Sequence, residues 1–216
     1  MHLQITEIFK SIQGESTMAG VPCVFIRLAG CNLRCSYCDT TYAYDGGERF
    51  SIDEVLSGIE GYRCRLVEIT GGEPLLQDAV YPLLNALLKN GKDVLIETNG
   101  SINIERVKGQ GSRVRVIMDV KCPESGMSEK MNWENLNVLT RNDEIKFVIC
   151  NEDDYEWSKG IIEKYSLADR CPVLMSPAYD RLTAGKLSEW ILKDNFNVRL
   201  NLQLHKYIWC AGMKGV

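Results

Sequence analysis

Short apolar runs recur along the chain, and segments with helical periodicity separate most of them. The runs, at residues 23–29, 66–70, 93–97, 114–120, 144–149, 172–175 and 198–204, read CVFIRLA, LVEIT, DVLIE, VRVIMDV, EIKFVI, PVLM and VRLNLQL. Short apolar runs bounded by turn residues predict buried strands. Their alternation with helices predicts a mostly parallel sheet with crossover helices, either an open doubly wound sheet or an incomplete barrel.

Helical patterns fill the intervals between these strands. Ser51 and Glu54 form a capping-box pattern, which predicts a helix beginning SIDEVLSGI. A second helix is predicted before a stop at Gly91, from apolar residues at helical spacing: Val80, Leu83, Leu84, Leu87 and Leu88. Two more are predicted, one from near Asn151 and one over 181–194. We find no internal repeat or linker, so residues 1–216 are interpreted as a single domain.

Polar residues follow the predicted strands at the points where the strands end. Parallel strands bring their carboxyl ends to one edge of a sheet, and sites in α/β folds gather there. The sequence therefore predicts a functional site at this edge. Its members would be Arg27, Thr70–Glu73, Glu97–Gly100, Asp119–Lys121, Ser176 and Gln203–His205.

Composition narrows the classes of function. The chain has 216 residues and a net charge of −4, which gives no basis for broad electrostatic capture of nucleic acid. No apolar run approaches the ~20 residues of a membrane span. The start, MHLQITEIFKSIQGE, lacks a basic segment followed by a continuous apolar one, so we expect no signal peptide and a cytoplasmic location.

Three of the nine cysteines are spaced as ligands, namely Cys31, Cys35 and Cys38. The other six are expected to be small buried hydrophobic residues; these are Cys23, Cys64, Cys122, Cys150, Cys171 and Cys210. Zinc, an iron–sulfur cluster and redox thiols are the three candidate roles for the spaced group.

An iron–sulfur cluster agrees best with this spacing. A structural zinc site needs four ligands, yet the chain has two histidines and no second CxxC pair. Redox chemistry would use Cys35 and Cys38 and leave Cys31 idle. Three thiolates on a 4Fe–4S cluster would hold three irons and leave the fourth open to a substrate or cofactor.

The spacing Cys31-x3-Cys35-x2-Cys38 resembles the signature of radical S-adenosylmethionine enzymes. Gly71-Gly72-Glu73-Pro74, placed after a predicted strand, resembles the GGE motif of that superfamily. The resemblance implies a 4Fe–4S cluster whose open iron binds S-adenosylmethionine, and radical chemistry by hydrogen abstraction. It also implies a mostly parallel, incomplete (β/α)6-type barrel.

Further segments resemble the 7-carboxy-7-deazaguanine synthase family over nearly the whole chain. They include Ile12-Gln13-Gly14-Glu15, Phe25-Ile26-Arg27, Cys38-Asp39-Thr40, Thr98-Asn99-Gly100 and His205-Lys206. The resemblance implies a ring contraction that converts 6-carboxy-5,6,7,8-tetrahydropterin to 7-carboxy-7-deazaguanine with loss of ammonia, on the route to queuosine and related 7-deazapurines. It also implies magnesium, a homodimer, and a flavodoxin or ferredoxin as reductant.

The same resemblance implies the roles of individual residues. Thr40 would bind magnesium through its hydroxyl, and Cys31, Cys35 and Cys38 would hold the cluster. The substrate would be bound by Ile12, Gln13, Gly14, Glu15, Arg27, Thr70 and His205. The cofactor would be contacted by Tyr37, Cys38, Asp39, Gly72, Glu73, Lys121 and Ser176.

Several of these residues also have purely structural interpretations. Arg27 could form an ion pair, Thr40 could cap a turn, and His205 could be a buried histidine. The segment after Trp209, CAGMKGV, departs from the family pattern, so its contribution to the pocket is left open. The sequence is also compatible with two alternative functions: a glycyl-radical enzyme activase, and a non-catalytic iron–sulfur or zinc binding module.

Overall fold

A computed structural model describes residues 1–210 and 212–215 of the chain. Two positions in the segment after Trp209, 211 and 216, lie outside the described residues. Within the described part, nine strands form one sheet. They are β1 (His2–Ile12), β2 (Pro22–Leu28), β3 (Glu48–Ser51), β4 (Leu66–Gly71), β5 (Asp93–Thr98), β6 (Val114–Val120), β7 (Glu144–Ile149), β8 (Val173–Pro177) and β9 (Arg199–Leu200).

The sheet is mostly parallel and does not close. Its strand order is β3-β1-β2-β4-β5-β6-β7-β8-β9. β1 runs antiparallel to both β2 and β3, and every later pairing is parallel. Because β3 and β9 are separate edges, the predicted fold class of a mostly parallel, incomplete barrel is confirmed.

Helices connect the parallel strands, as the periodicity predicts. The helix after Ser51 begins with the predicted capping box, since Ser51 and Glu54 each accept from the other's backbone N–H. The helices are α1 (Ile52–Glu60), α2 (Val80–Lys89), α3 (Glu105–Lys108), α4 (Glu152–Lys164), α5 (Leu167–Arg170), α6 (Ala184–Asp194) and α7 (His205–Ile208). Short 3-10 turns lie at Thr41–Ala43, Pro74–Leu76, Pro123–Ser125, Ser128–Lys130 and Trp133–Asn137.

The two faces of the parallel strands carry different side chains. One face packs against the helices in the main core, where Ile69 and Ile96 share a cluster with Leu84. The other face has a small apolar cluster of Cys23, Phe25, Leu66, Leu95 and Ile117. The residues two positions beyond Phe25, Leu66, Leu95 and Ile117 are all charged, so this second face turns polar toward the carboxyl ends.

Three predictions about local structure need correction. β1 and β3 were not predicted as strands. The last strand was predicted over 198–204, but only Arg199–Leu200 pair with β8. Cys210 is exposed, whereas the other five scattered cysteines are buried as expected.

Among the described residues, no helix is both long enough and apolar enough to cross a membrane.

Candidate active site

A cavity of about 580 Å³ opens at the carboxyl ends of the parallel strands. It brings together all of the residues with a predicted cluster, cofactor, substrate or magnesium role except Glu73. Those that line it are Ile12, Gln13, Gly14, Glu15, Arg27, Cys31, Cys35, Tyr37, Cys38, Asp39, Thr40, Thr70, Gly72, Lys121, Ser176 and His205.

Glu73 is fully buried behind the cavity wall. Its carboxylate accepts hydrogen bonds from the backbone N–H groups of Leu75 at 3.0 Å and Asn99 at 2.6 Å. The Thr98 hydroxyl donates to it at 2.9 Å. These bonds join the segments that follow β4 and β5, so Glu73 braces the wall and its carboxylate does not face the cavity.

Glu73 should make the stability of the fold depend on pH. Burial raises the pKa of Glu73 to about 7, although its hydrogen bonds oppose the shift. This folded-state pKa exceeds the unfolded value of about 4.3. Between these two pH values, the folded protein therefore binds one more proton than the unfolded chain. Stability contributed by this group is therefore present below about pH 4 and is lost as the pH rises through about 7.

The measurement is the melting temperature from about pH 5 to about pH 8, compared with Glu73→Gln. We expect a smaller fall with pH in the variant, because glutamine does not titrate. Glutamine places an amide group against one backbone N–H and so lowers stability at every pH. The slope is the readout, and equal slopes in the two proteins would contradict the assignment.

Contacts from three sides position the cysteine loop, which we define as residues 29–47. The Ser36 N–H donates to the Ser125 carbonyl at 3.0 Å, and Arg181 donates to the Ser36 carbonyl at 2.8 Å. A Cβ atom on Gly72 would overlap the Gly30 carbonyl. The second glycine of the GGEP motif is therefore required for close packing of β4 against this loop.

The three thiols of the loop have surroundings that fit a polynuclear cluster. All three are free and half-buried. The Leu33 N–H and the Asn99 amide lie 3.5 Å and 3.9 Å from the Cys31 sulfur, as donors to a cluster thiolate would. In the part of the chain that the structure describes, no three His, Cys, Asp or Glu side chains converge as ligands of a single metal ion.

Two buried polar atoms in the cavity lack a hydrogen-bond partner within the described residues. They are the Tyr37 hydroxyl and Oδ1 of Asp119. The other oxygen of Asp119 accepts from Lys121 at 2.7 Å. Buried polar groups are normally satisfied, so a polar ligand is expected beside these two atoms. Both lie on the side of the cavity where cofactor contacts are predicted.

Four carboxyl groups line the middle of the cavity, and three of them pair with one ammonium. We call Glu15, Glu68, Glu97 and Asp119 the acidic layer. Lys146 of β7 forms ion pairs with Glu15 at 3.0 Å, with Asp119 at 3.7 Å, and with Glu97. Lys146 is 5% exposed, so this ammonium is compensated by protein groups and not by water.

The charges in the acidic layer are strongly coupled. Burial alone would lower the pKa of Lys146, but Asp119, Glu15 and Glu97 raise it well above its usual value. Burial also disfavours ionised Glu15, yet Lys146 keeps the pKa of that carboxyl below its usual value. Burial and the nearby Glu97 and Glu15 raise the pKa of Glu68 well above its usual value, which favours its protonated form.

The sequence places Glu97 at the predicted site edge without a specific role, and it gives no indication of Glu68 or Lys146. Each is a charged residue in a predicted apolar strand: LVEIT, DVLIE and EIKFVI. A charge within a buried strand is rarely tolerated unless it is paired. That mismatch is the signal that could have identified Glu68 and Lys146 and given Glu97 a role.

The loop after β1 reaches across the cavity to the C-terminal segment. The Gly14 carbonyl accepts from the Leu204 N–H at 2.8 Å. Glu15 accepts from the Gln203 amide at 3.0 Å. A Cβ atom on Gly14 would overlap the His205 ring, so glycine is what allows His205 to approach this loop.

Asp39 joins the cysteine loop to the C-terminal helix α7. Lys206 contacts its carboxylate at 2.9 Å. Burial opposes ionisation of Asp39, but Lys206 and hydrogen bonds lower the pKa of Asp39 to about 2. The Thr40 hydroxyl, predicted to bind magnesium, donates to Asp39 at 3.1 Å and faces the cavity.

Comparison with known proteins agrees with this arrangement. The sequence profile of the Radical SAM superfamily matches residues 25–170, which include the cysteine loop and the GGEP motif. The chain therefore belongs to the radical S-adenosylmethionine superfamily.

Two relatives named 7-carboxy-7-deazaguanine synthase narrow the class. The protein of Chlorobaculum tepidum is 43% identical, over 99% of this chain and 97% of its own. The protein of Koribacter versatilis is 42% identical to this chain, over 99% of this chain and 100% of its own length. The crystal structure of QueE from Escherichia coli aligns with a TM-score of 0.78 at 27% identity, covering 95% of both chains. Within the superfamily, the chain belongs to the 7-carboxy-7-deazaguanine synthase family.

Proposed function

We propose that the protein converts 6-carboxy-5,6,7,8-tetrahydropterin to 7-carboxy-7-deazaguanine with loss of ammonia, as a radical lyase built on one core domain. The observation that carries the proposal is a single cavity that joins the cysteine loop to a buried arginine and the acidic layer. The substrate has matching groups, since it combines a carboxylate with a ring rich in N–H donors. Arginine suits the carboxylate, and carboxylates suit the N–H donors.

The residues at the cluster side of the cavity fit the expected cofactors. Cys31, Cys35 and Cys38 would hold a 4Fe–4S cluster, which together with S-adenosylmethionine supplies the radical that abstracts hydrogen. The cofactor would be contacted by Tyr37, Asp39, Gly72, Lys121 and Ser176. The Tyr37 hydroxyl has no hydrogen-bond partner among the described residues, and Oδ1 of Asp119 has only the ion pair with Lys146 at 3.7 Å, which supports a polar ligand in this position.

The substrate would occupy the opposite side of the cavity. Arg27 would bind its carboxylate, while Gln13 and Glu15 would contact the ring, with Thr70 and His205 beside them. The remaining substrate contacts would come from Ile12 and Gly14. Glu73, also predicted as a cofactor contact, would act through the wall that it braces.

Three further assignments belong to this proposal. Magnesium would bind at Thr40, because a hydroxyl at the cavity edge is an oxygen ligand of the kind that this cation takes. A flavodoxin or ferredoxin would supply electrons, and the protein would act as a homodimer on the route to queuosine or another 7-deazapurine. The curated relatives carry the synthase name, so an activase or a non-catalytic binding module is not favoured.

The test is one anaerobic assay. The cluster is reconstituted, S-adenosylmethionine, magnesium, reductant and 6-carboxytetrahydropterin are added, and 7-carboxy-7-deazaguanine is sought by mass spectrometry. Product that requires all of these components supports the proposal. Cleavage of S-adenosylmethionine without product would refute the substrate, and no cleavage by protein with a full cluster would refute the radical activity.

Gly14→Ala should impair this reaction through His205. The new methyl group would overlap the His205 ring and displace it from the cavity. We expect kcat/KM to fall by about tenfold or more, equivalent to ~1.4 kcal/mol. Gly58→Ala is the matched control, since a Cβ atom there meets no neighbour within 4 Å. Equal activity of the two variants would show that the close approach of Gly14 to His205 is not needed.

A further inference from the structure

Arg27 presents only part of its guanidinium to the cavity. Its Nε–H donates to Oε1 of Glu7 at 2.7 Å. This is the one hydrogen bond that the Arg27 side chain makes to the described residues, and it leaves the two Nη groups without a protein partner. The Arg27 side chain is 17% exposed, so these groups face the cavity and not bulk water.

Glu7 is placed opposite Arg27 by an irregularity in the sheet. The register between β1 and β2 shifts between Ile5 and Glu7, after which Glu7 pairs directly with Arg27. Directly opposed residues on antiparallel strands project to the same face, within reach of each other. Glu7 does not line the cavity, so it acts on a ligand there only through Arg27.

The cysteine loop holds Glu7 from the other side. The Tyr42 hydroxyl donates to Oε1 of Glu7 at 2.8 Å, the same oxygen that accepts from Arg27. The rings of Phe9 and Tyr42 each lie 5.9 Å from the Arg27 guanidinium carbon. With one edge bonded and two rings beside it, the guanidinium has little freedom to turn.

A second carboxylate, that of Glu97, contributes to the electrostatic field at Arg27 without pairing with it. Burial lowers the pKa of Arg27, but Tyr42, Glu7 and Glu97 together raise it above its usual value. Glu97 belongs to the acidic layer in the middle of the cavity.

We propose that Glu7, held by Tyr42, is a positioning residue that makes Arg27 bind the substrate carboxylate end-on through its two Nη groups. This inference rests on the proposed function. Glu7 occupies the Nε edge, so the side-on mode of arginine binding is blocked. The free end of the guanidinium then forms a fork that matches the two oxygens of a carboxylate.

Two effects of Glu7 on the substrate oppose each other. Its negative charge weakens the attraction of Arg27 for a second carboxylate, while its hydrogen bond holds the fork in place. Glu7→Ala removes the charge and the bond. Glu7→Gln removes the charge and keeps an acceptor. If Glu7 acts by positioning Arg27, Glu7→Ala should weaken binding of the substrate carboxylate and Glu7→Gln should retain it.

The experiment is anaerobic calorimetric titration of the cluster-loaded protein with two oxidised probes, 6-carboxypterin and pterin. They differ only in the carboxylate. We expect Glu7→Ala to weaken 6-carboxypterin binding by about tenfold or more, or ~1.4 kcal/mol, and to leave pterin binding unchanged. Glu7→Gln should stay within about threefold of the wild-type protein, and Arg27→Ala should lose the preference for 6-carboxypterin.

Tyr42→Phe gives a second test, since it frees Glu7 on one side and keeps the ring beside Arg27. This variant should weaken the binding of 6-carboxypterin by about threefold and leave the binding of pterin unchanged. Unchanged or tighter 6-carboxypterin binding by Glu7→Ala would overturn the positioning role, as would equal weakening of both probes. A wild-type protein that does not distinguish the probes would overturn the proposed substrate and this inference together.

Discussion

Replacing Cys35 with alanine is expected to abolish both cluster binding and turnover. Cys35 lies between the other two thiols of the loop, and a cluster held by three protein sulfurs cannot lose one without exposing a second iron. We expect the iron and sulfide content of the reconstituted protein to fall to background. No 7-carboxy-7-deazaguanine should form in the anaerobic assay.

Cys171→Ala is the matched control for this experiment. Cys171 is also free, but it is 5% exposed and belongs to the main core. Its replacement should cost some stability through lost packing and leave the iron content unchanged. Full activity of Cys35→Ala would rule out the cluster assignment, whatever the result for Cys171→Ala.

Replacing Lys146 with methionine is expected to lower both the stability of the fold and the catalytic efficiency. Methionine has a similar length but no charge, so Glu15, Glu97 and Asp119 would lose their shared ammonium. Breaking a buried ion pair from one side typically costs about 3–5 kcal/mol. We expect a comparable loss in the free energy of unfolding, measured with urea, and a fall in kcat/KM of about 100-fold or more, or ~2.7 kcal/mol.

Lys159→Met is the control, because Lys159 also pairs with two carboxylates. Its partners Glu156 and Asp194 are 59% and 26% exposed, so water can replace the lost cation. The expected cost is below about 1 kcal/mol, with no change in turnover. Similar costs for the two lysine variants would mean that Lys146 is not the buried partner of the acidic layer.

The architecture follows from the sequence where local pattern is strong. The apolar runs from CVFIRLA to PVLM became the parallel strands, because runs buried on both faces need no alternation. β1 escaped prediction because its register shift between Ile5 and Glu7 breaks the period of two that identifies a strand. β9 is shorter than its pattern indicates because the chain beyond Asn201 leaves β8, and the Leu204 N–H donates to the Gly14 carbonyl at 2.8 Å.

The site was predictable only in part. Motifs with fixed spacing located the cysteine loop and the residues around it, since those residues are close together in sequence. Glu7, Glu68 and Lys146 carry no such spacing. Their importance depends on which face of a strand they occupy and on partners from distant strands, and both are known only from the folded sheet.

The bonds between the loop after β1 and the C-terminal segment have a consequence for biosynthesis. Glu15 and Gln203 are 188 residues apart, and Asp39 and Lys206 are 167 apart. Contacts of such long sequence separation require the closure of very large chain loops. On the ribosome, the cysteine loop emerges long before α7 can cover it. The nascent chain thus passes through a period in which the thiols are uncovered, and iron and sulfide can reach them before the last helix docks.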